Sequence, residues 1–176
     1  DEVAVHPEVA KLAGTPVVLD NKCCRFEPHI ATLWLKQPLK ITNSDACGHN
    51  AACSPKKDEP FNPLLQPNTD VTINFQASQT LPQPVSCAIH PWMKGYVLPR
   101  ANPYVTTTNA KGEFEIANLP AGQHQFQVWH ERAGYLMANK EWVVGRKKGI
   151  VTVTIAGGKA TDLGEVKVDP ALLAPK

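Results

Sequence analysis

Cys87, His90 and Met93 fall within the seven residues Cys87-Ala88-Ile89-His90-Pro91-Trp92-Met93. A thiolate, an imidazole and a thioether on one short loop are the donor types that a mononuclear blue-copper site draws together. Such a site needs a second imidazole from elsewhere in the fold. The two nitrogens and the sulfur then form a near-trigonal plane, with the thioether as a weak axial donor. His49, in the stretch Asn43-Ser44-Asp45-Ala46-Cys47-Gly48-His49-Asn50, is the leading source. Zn(II) accepts nitrogen and sulfur donors as well, but the thioether favours copper. Taken singly, each residue has a plainer role. Met93 would fill core space, and His49 would be a surface histidine near a turn.

The elements that must position these donors read as strands. Leu39 and Ile41 alternate with Lys40 and Thr42, and Val71, Ile73 and Phe75 alternate with Thr72 and Asn74. The same period of two runs through Phe114 and Ile116, through Phe126 and Val128, and through Val151, Val153 and Ile155. Helical periodicity is confined to a short stretch from Pro7 to Leu12. Sixteen prolines and eleven glycines break the chain at short intervals, so the pattern predicts an all-β protein of sandwiches or barrels. Asn109-Ala110-Lys111-Gly112, Leu119-Pro120-Ala121-Gly122, Gly145 to Gly149 and Gly157-Gly158 read as turns. A boundary is expected near Pro99 to Pro103, dividing residues 1–100 from residues 101–176. The tail from Pro170 to Lys176 is expected to fray.

Composition narrows the function classes. The 18 lysines and arginines nearly balance the 16 acidic residues, with no block of like charge, so nothing argues for nucleic acid. No run is long enough to span a membrane. The chain begins at Asp1, which is expected of a processed, mature form. With Cys87 set aside as a ligand, four of the five cysteines remain: Cys23, Cys24, Cys47 and Cys53. An even remainder suits two disulfides in an oxidising compartment. The expected pattern joins Cys23 and Cys24 to Cys47 and Cys53 in an order the sequence does not fix; free thiols are the alternative.

Four stretches in order resemble the cupredoxin family: Phe26-Glu27-Pro28-His29-Ile30-Ala31, Asn43-Ser44-Asp45, His49-Asn50, and the Cys87, His90, Met93 loop. The short His-to-Met spacing, with Pro91 and Trp92 between, is most similar to the amicyanin-like members. The resemblance covers about residues 20–98. It implies a Greek-key cupredoxin β-sandwich holding one copper through His49, Cys87, His90 and Met93. It also implies that Asn50 ties the His49 segment to the Cys87 loop and tunes the thiolate. In that family the histidine of this loop exposes its ring edge in an apolar patch where redox partners dock, and Trp92 would belong to the patch or cover the site.

The stretch Thr106 to Gly122, with Gly112-Glu113-Phe114-Glu115-Ile116 and Leu119-Pro120-Ala121-Gly122, resembles the carboxypeptidase-regulatory-like family. That implies a smaller, transthyretin-like β-sandwich with a structural or adhesive role. The pairing of the two modules resembles a methylamine-utilisation-like bacterial group. There His-Pro-aromatic and Trp-His-Glu motifs recur; here Trp129-His130-Glu131 stands, while Asn102-Pro103-Tyr104 has Asn in place of His. His124 and His130 are expected to be solvated or hydrogen-bonded at the ends of a strand, with a second-site role for His130 and Glu131 as the sharper alternative. His29 is expected to open a strand and face solvent.

These readings combine into one expectation. The chain would be a periplasmic or secreted blue-copper carrier of single electrons, not an enzyme, serving redox partner proteins or a membrane-associated complex without a transmembrane segment of its own. The alternatives are an accessory subunit with a stabilising copper, and a copper enzyme with an open coordination position. Met93 argues against the enzyme.

Overall fold

A computed structural model describes residues 3–135, 150–166, 168 and 170–173. The expected turn at Gly145–Gly149 lies outside the described residues. The protein is nearly all β, and the chain divides into two compact units, residues 1–118 and 119–176.

In the first unit, helix α1 (Pro7–Ala10) precedes ten strands. One sheet runs in the order β2 (Arg25–Glu27), β1 (Val17–Lys22), β4 (Leu39–Asn43), β8 (Asp70–Ile73). The other runs β3 (Ile30–Trp34), β10 (Lys94–Arg100), β9 (Gln83–Ser86), β6 (Ala52–Cys53). Each sheet contains one parallel pair, β1 with β4 and β3 with β10; the remaining neighbours are antiparallel. A short ladder, β5 (His49–Asn50) with β7 (Leu64–Leu65), completes the unit.

Register explains why the alternation works. Leu19 lies opposite Ile41, and Ile41 opposite Val71, so the apolar members of three strands share one face. On the other sheet Val97 lies opposite Ala31, and Val85 opposite Cys53. These faces supply one core cluster that includes Leu19, Phe26, Leu39 and Ile41 from the first sheet and Ala31, Leu33, Val85 and Val97 from the second. Two packed sheets with a shared core are a sandwich. Gly95 marks a close approach: a Cβ there would stand 2.9 Å from Phe26 Cβ and 3.2 Å from the His29 carbonyl.

The second unit contains an antiparallel ribbon of β11 (Gly122–Gln127) and β14 (Ile150–Ile155), plus the short pair β12 (Trp129–His130) and β13 (Gly134–Tyr135). Phe126 lies opposite Val151 and His124 opposite Val153, and both valines are buried. Pro170–Leu173 closes into a 3-10 turn.

The strand expected at Phe114–Ile116 is a correction. The segment follows a tight turn in which Gly112 N–H donates to the Asn109 carbonyl at 2.9 Å, but no strand is formed there. Alternation alone does not make a strand: the backbone needs a ladder partner, and none is paired with this segment among the described residues.

Candidate metal centre

The loop from Cys87 to Met93 connects β9 to β10. These are adjacent antiparallel strands in which Ser86 lies opposite Lys94. The loop base is therefore narrow, and it is closed by Cys87 N–H to the Met93 carbonyl at 3.3 Å and Met93 N–H to the His90 carbonyl at 2.8 Å. Cys87 and Met93 turn inward and are buried. His49 arrives from the short β5 strand and is fully buried. Asn43, at the end of β4, sets the path to it: its side-chain amide donates to the Cys47 and Leu65 carbonyls at 2.8 and 3.1 Å.

The structure brings three of the expected residues together. His49 Nδ1 and His90 Nδ1 are 3.0 Å apart, and they stand 4.0 and 3.9 Å from Cys87 Sγ. Met93 lies in the same loop, buried and held by its backbone bonds to Cys87 and His90. Asn50 spans the two segments. Its side-chain oxygen accepts from Ala88 N–H at 2.7 Å and from Cys87 Sγ at 3.3 Å, while its amide donates to Asn62 Oδ1 at 2.6 Å. His90 is half-buried; its neighbours Ile89 and Trp92 are 51% and 67% exposed, and the Trp92 ring stands edge-on to His90 at 5.2 Å.

His49 has a second face that sequence reasoning missed. Its Nε2 lies 2.9 Å from Asp45 Oδ2 and 3.5 Å from Cys47 Sγ. Asp45 also accepts the backbone N–H groups of Cys23 at 2.6 Å and Cys24 at 2.9 Å. Burial opposes ionisation of this carboxyl, but the Cys24 and Cys23 amides and the His49 ring outweigh it and hold Asp45 below the ordinary carboxylate range. Burial, the neighbouring Cys47 thiol and the Asp45 carboxylate raise the Cys24 thiol. The spacing of Asp45 four residues before His49 was visible in the sequence. What joins Cys24 to them is a hairpin register that no local pattern encodes.

The two expected disulfides are absent, and all five thiols are free. Cys53 packs in the sandwich core, where burial pushes its thiol up to about 12, whereas Cys23 is exposed on the β1–β2 turn. Cys24 and Cys47 approach one another as thiols.

The other histidines have local roles. His29 precedes β3, exposed, with its ring edge-on to Tyr96 at 5.7 Å. His124 Nε2 is 2.7 Å from the Pro120 carbonyl, and His130 Nδ1 accepts from Arg132 N–H at 3.2 Å. In the Asn102-Pro103-Tyr104 stretch, the Tyr104 hydroxyl accepts from His6 N–H at 2.9 Å and donates to the Ala4 carbonyl at 3.2 Å.

No protein-family model and no curated protein matches the chain. Among solved structures, it is similar to a Cu-containing nitrite reductase from Thermus scotoductus SA-01, with 23% identity and a TM-score of 0.44 over 48% of this chain. The match spans only 22% of the reductase chain. A Cu(I) form of an amicyanin variant is matched along 100% of its length and 57% of this chain, with 18% identity and a TM-score of 0.44. A purple cupredoxin from Nitrosopumilus maritimus is matched over 97% of its length and 48% of this chain, with 19% identity and a TM-score of 0.39.

Proposed function

We propose that the first unit is a cupredoxin that holds one copper ion through His49, Cys87, His90 and Met93 and carries single electrons between redox partners. The observation that supports this most is the shape of the donor triangle. A cation bonded at about 2.05 Å to each Nδ1 and about 2.3 Å to Cys87 Sγ would subtend angles of roughly 94°, 127° and 134° across the observed spacings. These close to about 355°, close to the full circle of a planar trigonal set. Three angles of a tetrahedral centre would sum to only about 328°.

Copper, when bound, supplies a one-electron Cu(II)/Cu(I) couple. The chain's own residues do the rest. Buried His49, Cys87 and Met93 exclude water from three sides. Asn50 locks the Cys87 loop to the His49 strand and offers the sulfur a polar neighbour, a contact that orients a ligand and tunes it. Half-buried His90, flanked by exposed Ile89 and Trp92, is the edge through which an electron would pass to a docked partner. If the buried Met93 thioether were the fourth donor, no position would be left for a substrate, which would favour a carrier over an enzyme.

The same reading takes residues 1–100 as the copper domain and residues 101–176 as an appended transthyretin-like module that orients or docks the carrier. Residues 101–118 cluster with the first unit. The buried Val151 and Val153 face of the β11–β14 ribbon supports a second small sandwich. A periplasmic or secreted location, with redox proteins or a membrane-associated complex as partners, belongs to the proposal. Among the described residues no helix is long and apolar enough to cross a membrane.

The test is a visible spectrum of the Cu(II)-loaded protein. An intense thiolate-to-copper band, bleached by ascorbate and restored by an oxidant, is expected. Cys87→Ser should abolish the band, and Met93→Leu should keep it and shift the reduction potential. A colourless protein that binds no copper with Cys87 intact would end the proposal. A spectrum strongly perturbed by azide would favour an enzyme with an open coordination position.

A further inference from the structure

We infer that Cys24, Cys47, Asp45 and the Nε2 face of His49 form a second cation site, of the tetrahedral thiolate kind that takes Zn(II), back to back with the first site across the His49 ring. The four donor atoms lie within 4.8 Å of one another. Two thiols, an imidazole and a carboxylate are the donor types of a zinc site. At ordinary bond lengths, a tetrahedral cation separates a sulfur and a nitrogen donor by about 3.55 Å; Cys47 Sγ and His49 Nε2 are 3.5 Å apart. The carboxylate is nearer, at 2.9 Å from Nε2. That is a hydrogen-bond distance, and it would relax once a cation replaced the proton between them.

The backbone supports the assignment independently. Cys23 and Cys24 occupy the two central positions of the β1–β2 hairpin turn, at φ 53° and 52°. Such turns favour Asn-Gly, because both centres require positive φ. A β-carbon in that region costs on the order of 1 kcal/mol or more per residue. Asp45 holds this unfavourable turn in place by accepting both cysteine amides. The result aims the Cys24 thiol at Cys47 and His49, which Asn-Gly could not do.

Binding would release one proton from each thiol, as thiolate sites do, and with the first site empty the neutral His49 imidazole would carry its proton on Nδ1 and leave Nε2 free to bond the cation. No oxidation is involved. His49 would then bond the second cation through Nε2 while its Nδ1 still faces Cys87 and His90.

The test uses the reduced Cys87→Ser protein, in which the thiolate of the first site is gone. Its outcome therefore does not depend on whether that first site takes copper. Titration with Co(II) should give one equivalent bound, with a sulfur-to-cobalt charge-transfer absorption that Zn(II) displaces. Adding Cys24→Ser or Cys47→Ser should remove at least half of that absorption and weaken binding at least tenfold. Cys23→Ser should leave it unchanged. X-ray absorption on the Zn(II)-loaded Cys87→Ser protein should find two sulfur neighbours per zinc, a reading that needs no further variant to fold. Absence of the charge-transfer band, or no sulfur neighbour at zinc, would overturn the inference. So would a Cys24–Cys47 disulfide found by mass spectrometry in protein isolated without reductant.

Discussion

Replacing Asn50 by alanine should loosen the joint between the His49 segment and the Cys87 loop, and the cost follows from three hydrogen bonds. The Asn50 side chain accepts from Ala88 N–H and Cys87 Sγ and donates to Asn62 Oδ1, at 2.7, 3.3 and 2.6 Å. Ordinary hydrogen bonds contribute about 0.5–1.5 kcal/mol each, and a partner left buried and unsatisfied costs about 1–3 kcal/mol. Losing the strong Ala88 and Asn62 bonds, with the weaker thiol contact, should therefore destabilise the unit by about 2–4 kcal/mol. Small domains shift by a few degrees per kcal/mol, so the melting temperature should fall by roughly 8–15 °C. The assay is metal-free thermal unfolding followed by circular dichroism, with Asn62→Ala and the double variant run beside it. The cycle should return a coupling of about 1 kcal/mol for the Asn50–Asn62 bond. A melting temperature within about 2 °C of the parent would refute the view that Asn50 is the strut between β5 and the Cys87 loop, and additive single and double variants would refute the contribution of the Asn50–Asn62 bond.

Four further outcomes are expected. Gly95→Ala places a Cβ 2.9 Å from Phe26 Cβ and 3.2 Å from a backbone carbonyl, so overpacking should cost about 1–3 kcal/mol in a urea titration; a neutral result would contradict the close sheet approach. Cys53 should resist alkylation in the folded protein while exposed Cys23 reacts. Because the Cys53 value is raised from 9.0 to about 12, the folded state holds that proton more tightly than the unfolded state. Its contribution is complete below pH 9 and is lost as pH rises towards 12, on the order of 4 kcal/mol, a slope that Cys53→Ala should flatten. Trp92→Ala should cost only about 0.5–1.5 kcal/mol, the worth of its edge contact with His90, and leave the denaturant slope unchanged; a large slope change would mean that Trp92 supports the core.

The Cys87–Met93 loop was legible because its side-chain types are local: seven residues carry a thiol, an imidazole and a thioether, and β9 and β10 need only be neighbours to close it. The strands around Leu39–Ile41 and Val151–Ile155 were legible because one buried face imposes a period of two. What escaped were features made by contacts between distant segments. Phe114–Ile116 carries the strand pattern but lacks a ladder partner. The four remaining cysteines invited pairing by count, yet Cys53 belongs to the core and Cys24 to a turn. The Asp45–Cys24 contact depends on the β1–β2 hairpin meeting the loop after β4, and nothing in either segment announces the other.

The antiparallel pairing of β6 with β9 also bears on when the candidate donors come together. Cys87 and His49 are 38 residues apart in sequence, and they meet when β6 pairs with β9 and sets Ala52 opposite Ser86. An unfolded chain therefore offers no assembled triangle, only scattered thiols and imidazoles with poor power to discriminate among cations. Long-range pairing of this kind forms late. On the proposed copper reading, metal choice would then wait for the folded arrangement of His49, Cys87 and His90, and a cation that met the chain early would gain little from being first.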